Sequence, residues 1–220
     1  MTPSPARKEL AQLIEHTLRK ADATREEIER LCSEANANGF ASVCVNGSRV
    51  VQAAHFLEGT EVRLTCAVAF PLGASDADVK RFETEAAIDG GANFVEVAAN
   101  LGRLKDGEDA YVLRELRDVV EAADERPVSV YLDLRFLTPA EIGRVAQLAI
   151  EAGAKGAALA GGFDSVTKVE AVRLVREVAG ESFGIKIDQE TAALAEIIVL
   201  LEAGATRFGL ENGVKLVETT

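Results

Sequence analysis

One junction recurs along the chain: a stretch with apolar positions three and four apart ends in Gly, and a short apolar run follows at once. It occurs in EANANGFASVCV (34–45), IDGGANFVEV (88–97), IEAGAKGAAL (150–159) and LEAGATRFGL (201–210). Gly supplies the left-handed residue that ends a helix, and the apolar run reads as a buried strand. Extending this alternation to the gaps predicts strands near 13–17, 41–46, 63–70, 94–100, 128–136, 157–162, 183–188 and 207–211. Helical segments separate them at 24–38, 77–90, 110–123, 139–152, 168–179 and 192–203. Helix starts carry capping residues: Asp22 or Thr24, Ser75, and Thr138 ahead of Pro139. Eight short parallel strands with right-handed crossovers close into an α/β fold, a (β/α)8 TIM barrel forming a single domain over residues 1–220. A doubly wound open sheet is the alternative, but its Gly-rich fingerprint is missing after the first strand.

Side chains along a barrel strand alternate between the helix layer and the interior, so polar residues at period two mark the inner face. In PVSVYLDLRF, Val128, Val130, Leu132 and Leu134 suit the helix layer, which sends Ser129, Tyr131, Asp133 and Arg135 inward. The same parity turns Cys44 and Asn46 inward on strand two, Glu96 and Asn100 on strand four, and Lys186 and Asp188 on strand seven. Glu15 on strand one and Glu211 after strand eight complete a ring of acids at the end where barrel enzymes do their chemistry. Five carboxylates then face two cations, Lys186 and Arg135. Asp133 with Arg135 also reads as an ion pair that only fixes packing, whereas Glu96 and Lys186 have no helix-facing partner to explain them. Cys44 reads as packing, because neither His16, of outward parity, nor His55, on the helix after strand two, is placed to activate it.

Composition narrows the rest. A hydrophobic content of 48% over 220 residues supports one large core, and no apolar stretch reaches membrane-spanning length. MTPSPARKEL opens the chain without an apolar leader segment, which predicts a cytoplasmic protein. Cys32, Cys44 and Cys66 form no CxxC pair, so neither a disulfide framework nor a thiolate zinc site is expected. A formal charge of −12 disfavours nucleic acid and anionic membrane surfaces as partners. The acids could be read as Mg2+ ligands, but no fixed-spacing motif supports that, and neither a metal nor another cofactor is expected.

Taken together, IEHTLRKADATREEIERLC (14–32), GFASVCVN (39–46), FPLGAS (70–75), NLGRLKDGE (100–108), FLTPAEI (136–142), GGF (161–163) and EAGATRFG (202–209) resemble the deoxyribose-phosphate aldolases along nearly the whole chain. The resemblance implies a barrel, a small-molecule substrate and a homodimer. It also implies a strand-six lysine that forms a Schiff base, a strand-seven lysine that tunes it, a strand-four acid that shuttles protons, and a phosphate cradle of Gly and Ser backbone in the last loops. At the matching positions this sequence has Ala158 for the Schiff-base lysine, Lys186 for the tuning lysine, Glu96 for the proton shuttle and Asp133 for a strand-five Glu. The cradle positions read Gln189-Glu190-Thr191 and Glu211-Asn212. Lys155 stands at the wrong end of its strand to replace the nucleophile.

These departures predict an enzyme of the family scaffold acting on an unphosphorylated carbonyl or polar metabolite by acid-base chemistry, of lyase, isomerase, cyclase or dehydratase type. Glu96, Lys186 and Asp133 are the catalytic candidates. Glu15, Cys44, Asn46, Arg135, Asp188, Glu211 and Asn212 are the substrate-binding candidates, and small Ala158 and Ala160 are expected to widen the pocket. The alternatives are a non-catalytic binding or scaffold protein and a residual deoxyribose-phosphate aldolase.

Overall fold

The computed structural model describes residues 6–161 and 167–218. Its eight parallel strands close in chain order: β1 (Ile14–Leu18), β2 (Ser42–Asn46), β3 (Arg63–Val68), β4 (Phe94–Ala98), β5 (Val128–Asp133), β6 (Gly156–Ala160), β7 (Gly184–Gln189) and β8 (Arg207–Leu210), with β8 pairing back onto β1. All eight strands expected from the apolar runs are present, several shorter at the C-terminal end than the pattern suggested. Ten helices are described: α1 (Arg7–Ala11), α2 (Arg25–Asn38), α3 (Val50–Phe56), α4 (Ala77–Asp89), α5 (Leu101–Lys105), α6 (Asp109–Ala122), α7 (Pro139–Ala152), α8 (Lys168–Ala179), α9 (Leu194–Ala203) and α10 (Gly213–Glu218). Four of them, α1, α3, α5 and α10, are too short to have given a periodic signal.

Local chemistry explains the boundaries. Thr24, Thr138 and Thr167 each accept the N3 backbone N–H of their helix, and a Glu at N3 reaches back to the cap backbone. Helix α4 is capped by Asp76 rather than Ser75, the Asp76 side chain accepting the Asp78 N–H at 3.0 Å. Gly39, Gly153 and Gly204 end their helices with left-handed backbone, as the junction pattern requires; after α4 the left-handed residue is Gly91 rather than Gly90.

The main core lies between the outer faces of the strands and the inner faces of the helices. Val43, Val97, Val130, Ile185, Ile187 and Phe208 are fully buried there against residues such as Ile28, Leu116, Val145, Val172 and Ile197. Truncating Phe208 to Ala would cost about 3–5 kcal/mol by the usual large-to-small rule. This layer fixes the strand register and so decides which side chains share the interior. No helix among the described residues is long and apolar enough to cross a membrane.

Candidate active site

The interior polar residues converge on Lys186. Its Nζ donates to Glu15 Oε1 at 2.5 Å, pairs with Glu96 Oε2, and lies 3.3 Å from Asp188 Oδ1. Strand register brings them together: Glu15 and Asp188 both lie opposite Gly209 on β8, and Glu96 faces inward from β4. The second oxygen of Glu15 accepts from Ser42 Oγ at 2.8 Å and Thr65 Oγ1 at 2.6 Å, so this carboxylate is well anchored.

The second cation of the cluster is Arg19, just beyond β1. Its Nη1 donates to Glu96 Oε1 at 2.9 Å and Asp188 Oδ2 at 2.8 Å. The guanidinium stacks on Phe70 at 4.4 Å and lies 5.7 Å from the Tyr131 ring, covering the cluster on the C-terminal side. Sequence reasoning missed Arg19 because it stopped the first strand at residue 17. The signal was present in the Glu15, Thr17, Arg19 alternation, obscured by the neighbouring Lys20, which is half-exposed and pairs with Glu27.

Charge counting explains the titration behaviour. Two cations face three carboxyls, so the group becomes neutral when one proton is held among the acids. That proton belongs on Glu96: burial, reinforced by Asp188 and Glu15 and opposed by Lys186 and Arg19, pushes its carboxyl up to about 7. Glu15 goes the other way. Burial alone would raise it, but the Lys186 ammonium and the Thr65 and Ser42 hydroxyls hold it down at about 2. Burial also opposes the charge on Lys186, and Asp188, Glu15 and Glu96 together outweigh it, holding the ammonium well above the ordinary lysine value. Arg19 is raised in the same way, with Asp188 the leading acid.

Not every expected residue joins this group. Cys44 is fully buried beside it, and burial followed by Glu15 raises the thiol well above its usual value, consistent with packing rather than nucleophilic attack. Asn46 holds the Arg19 carbonyl through its Nδ2 at 2.9 Å. Asp133 is buried at the C-terminal end of β5, but its carboxylate caps a 3-10 turn, accepting the Arg135 N–H at 3.1 Å. Arg135 is therefore not an interior residue: its strand has ended, and its side chain is 63% exposed while pairing with Asp133. Asn100 likewise lies past the end of β4 and caps α5 instead of facing the barrel interior. Glu211 and Asn212 are exposed in the turn after β8, where the Asn212 N–H donates to the Glu190 carbonyl at 3.0 Å. The expected ring of five carboxylates is thus a buried triad plus two outlying acids.

The methyl group of Ala158 lies beside Lys186 in the β6–β7 ladder, fully buried and packed with Ala98 and Tyr131. Ala160, two residues further on, stays partly exposed. Gly161 follows it; Gly162 and Phe163 lie outside the described residues. His16 sits in the outer layer, one ring nitrogen 3.1 Å from the Leu210 carbonyl and the other 2.8 Å from Glu34, and His55 is exposed on α3. Among the described residues no group of three or more His, Cys, Asp or Glu side chains is arranged to hold a metal ion.

A deoxyribose-phosphate aldolase of Geobacillus sp. (strain WCH70) is 42% identical over 211 residues, covering 95% of this chain and 95% of the relative. The chain belongs to the deoxyribose-phosphate aldolase family. A second member, from Aciduliprofundum boonei, is 40% identical over 215 residues and covers 96% of this chain and 97% of its own. The deoxyribose phosphate aldolase of Aeropyrum pernix, solved as a tetramer, has a TM-score of 0.87 over 97% of this chain and 92% of that one; at 23% identity it bears on the fold alone. No family model matches the chain.

Proposed function

We propose that this aldolase-family chain is an enzyme that acts on a small carbonyl compound without a phosphate group, by acid-base chemistry and without an imine on lysine. The observation that carries the reading is the saturation of Lys186 by Glu15, Glu96 and Asp188. An amine attacks a carbonyl only when neutral, and three acids around it favour the ammonium. In this reading Glu96, with a carboxyl near neutrality, gives or takes the substrate proton, and Lys186 with Arg19 stabilises the developing oxyanion. Glu15 and Asp188 hold the two cations in place. Asp133 orients Arg135 at the mouth, and Asn46, Glu211 and Asn212 offer polar contacts there; a carboxylate at 211 repels phosphate.

The second reading, a deoxyribose-phosphate aldolase, is favoured by the 42% identity to a relative of that name. Incubating the protein with unphosphorylated aldehydes and ketones, and in parallel with the deoxyribose phosphate, separates the two. The proposal expects an unphosphorylated compound to be consumed and Glu96→Gln to lose at least a hundredfold in turnover with little change in thermal unfolding. Acetaldehyde release from the sugar phosphate alone supports the second reading. A ligand that stabilises the fold but persists unchanged indicates a binding protein.

A further inference from the structure

The Lys186 cluster can be reached from the end of the barrel opposite the usual mouth. A cavity of about 250 Å³ opens at the N-terminal ends of β4 to β8, and Glu15, Glu96 and Lys186 form its inner wall. It is hollow because the interior positions there are small. Gly156 and Gly184 are paired across β6 and β7, and Ser129 is paired with Gly156 from β5. Barrels usually fill this level with bulky side chains. At the rim Arg207 lies 5.6 Å over the Phe94 ring, and both residues also line a wider groove of about 740 Å³ outside the barrel. Thr65, Ser129, Thr206 and the inner-wall charges give the space polar groups along its length, and it is roomy enough for several waters, each occupying about 30 Å³ in the liquid. On the other side, Arg19 stacked on Phe70 covers Glu96 and Asp188.

We propose that this N-terminal shaft is a solvent conduit through which Glu96 exchanges its proton with bulk water, separate from the face at which substrate enters. The proposal rests on the reading of Glu96 as the acid-base group. When Glu96 has taken a proton from the substrate, a shaft water accepts it and passes it outward as hydronium; the reverse path reloads the carboxyl. Substrate can then stay enclosed against the C-terminal side while the proton leaves from the other.

The test needs no substrate. Below neutral pH the protonated carboxyl of Glu96 gives an infrared carbonyl band, assigned by its loss in Glu96→Gln, and its shift after rapid mixing into D2O times the exchange. Gly184→Val places a side chain in the shaft; a Cβ at Gly184 meets only ordinary contacts, the nearest being the Lys155 carbonyl oxygen at 3.5 Å. Ser129→Leu fills the shaft from β5, two strands away, and serves if Gly184→Val does not fold. Exchange at least tenfold slower in the blocked variant, with Arg19→Ala restoring it by opening the other side, is the expected result. Exchange as fast in the blocked protein as in the wild type, or no Glu96-dependent band, overturns the conduit. Loss of the acid-base role is read separately, as undiminished turnover in Glu96→Gln.

Discussion

Lys80 and Lys186 are both buried, one in the helix layer and the other inside the barrel, at 0% and 7% exposure. Lys80 projects from α4 and donates to Glu115 of α6 at 2.7 Å and to the Ala98 carbonyl at 2.9 Å. It has one acid in direct contact, with Glu83 a lesser influence, and burial wins: the lysine is lowered and Glu115 is raised, each toward its neutral form. Lys186 has three acids, and there the acids win. The two sites teach that burial alone does not decide a lysine's charge; the number of carboxylates sharing the enclosure does. They also separate structure from chemistry. A lowered pKa would suit Lys80 to nucleophilic attack, yet it is sealed on all sides, whereas the protonated Lys186 borders open space.

The largest effect expected from breaking this comparison is on the helix-layer pair. Lys80→Met strands Glu115 and should cost about 3–5 kcal/mol in chemical denaturation, most of it recovered when Glu115→Leu is added. That double variant should keep turnover within a few fold of wild type, while Lys186→Met loses it. Equal loss of turnover in both would erase the distinction between the two lysines.

Next comes the pH dependence of the barrel cluster. Because burial and its acidic neighbours raise Glu96 from 4.5 to about 7, its contribution to stability is full below about 4.5 and lost as pH climbs through about 7. Glu15, lowered to about 2, contributes above 4.5 and loses that contribution as pH falls toward about 2. The stability of wild type relative to Glu96→Gln should therefore decline between about pH 4.5 and pH 7 and be level above. A difference that is flat across that window contradicts the assignment of the shared proton to Glu96.

A smaller effect probes the geometry. A Cβ at Gly209 would stand 1.7 Å from Asp188 Oδ1, so Gly209→Ala must push that carboxylate off its position beside Lys186. About 1–3 kcal/mol of stability is expected to go, as for other overpacked interiors. An undisturbed melting curve with unchanged turnover would mean that the placement of Asp188 is immaterial.

The fold was legible because four helix-to-strand junctions repeat the same chemistry, Gly followed by an apolar run, and such runs have few other uses in a chain of this composition. Glu96, Lys186 and Asp188 were legible through strand parity, since each lies within the bounds of its strand. Parity failed where it was carried past a strand end. Asn100 and Arg135 obey the alternation on paper, but β4 stops at Ala98 and β5 at Asp133, after which capping by Asn100 and Asp133 turns the backbone. Glu211 was misplaced for the same reason one residue after β8. Arg19 is the converse, an interior residue reached only by extending parity beyond Leu18. The Lys80–Glu115 pair had no local signature, because its partners lie 35 positions apart on two helices.

The central claim is that Lys186 works as a fixed charge rather than as an imine-forming amine. Borohydride reduction in the presence of a small aldehyde, followed by intact-mass and peptide mapping, tests it directly. The account predicts no reduced adduct on Lys186 under conditions that label an accessible, neutral amine. A stoichiometric adduct on Lys186 would contradict it and return the chain to Schiff-base chemistry.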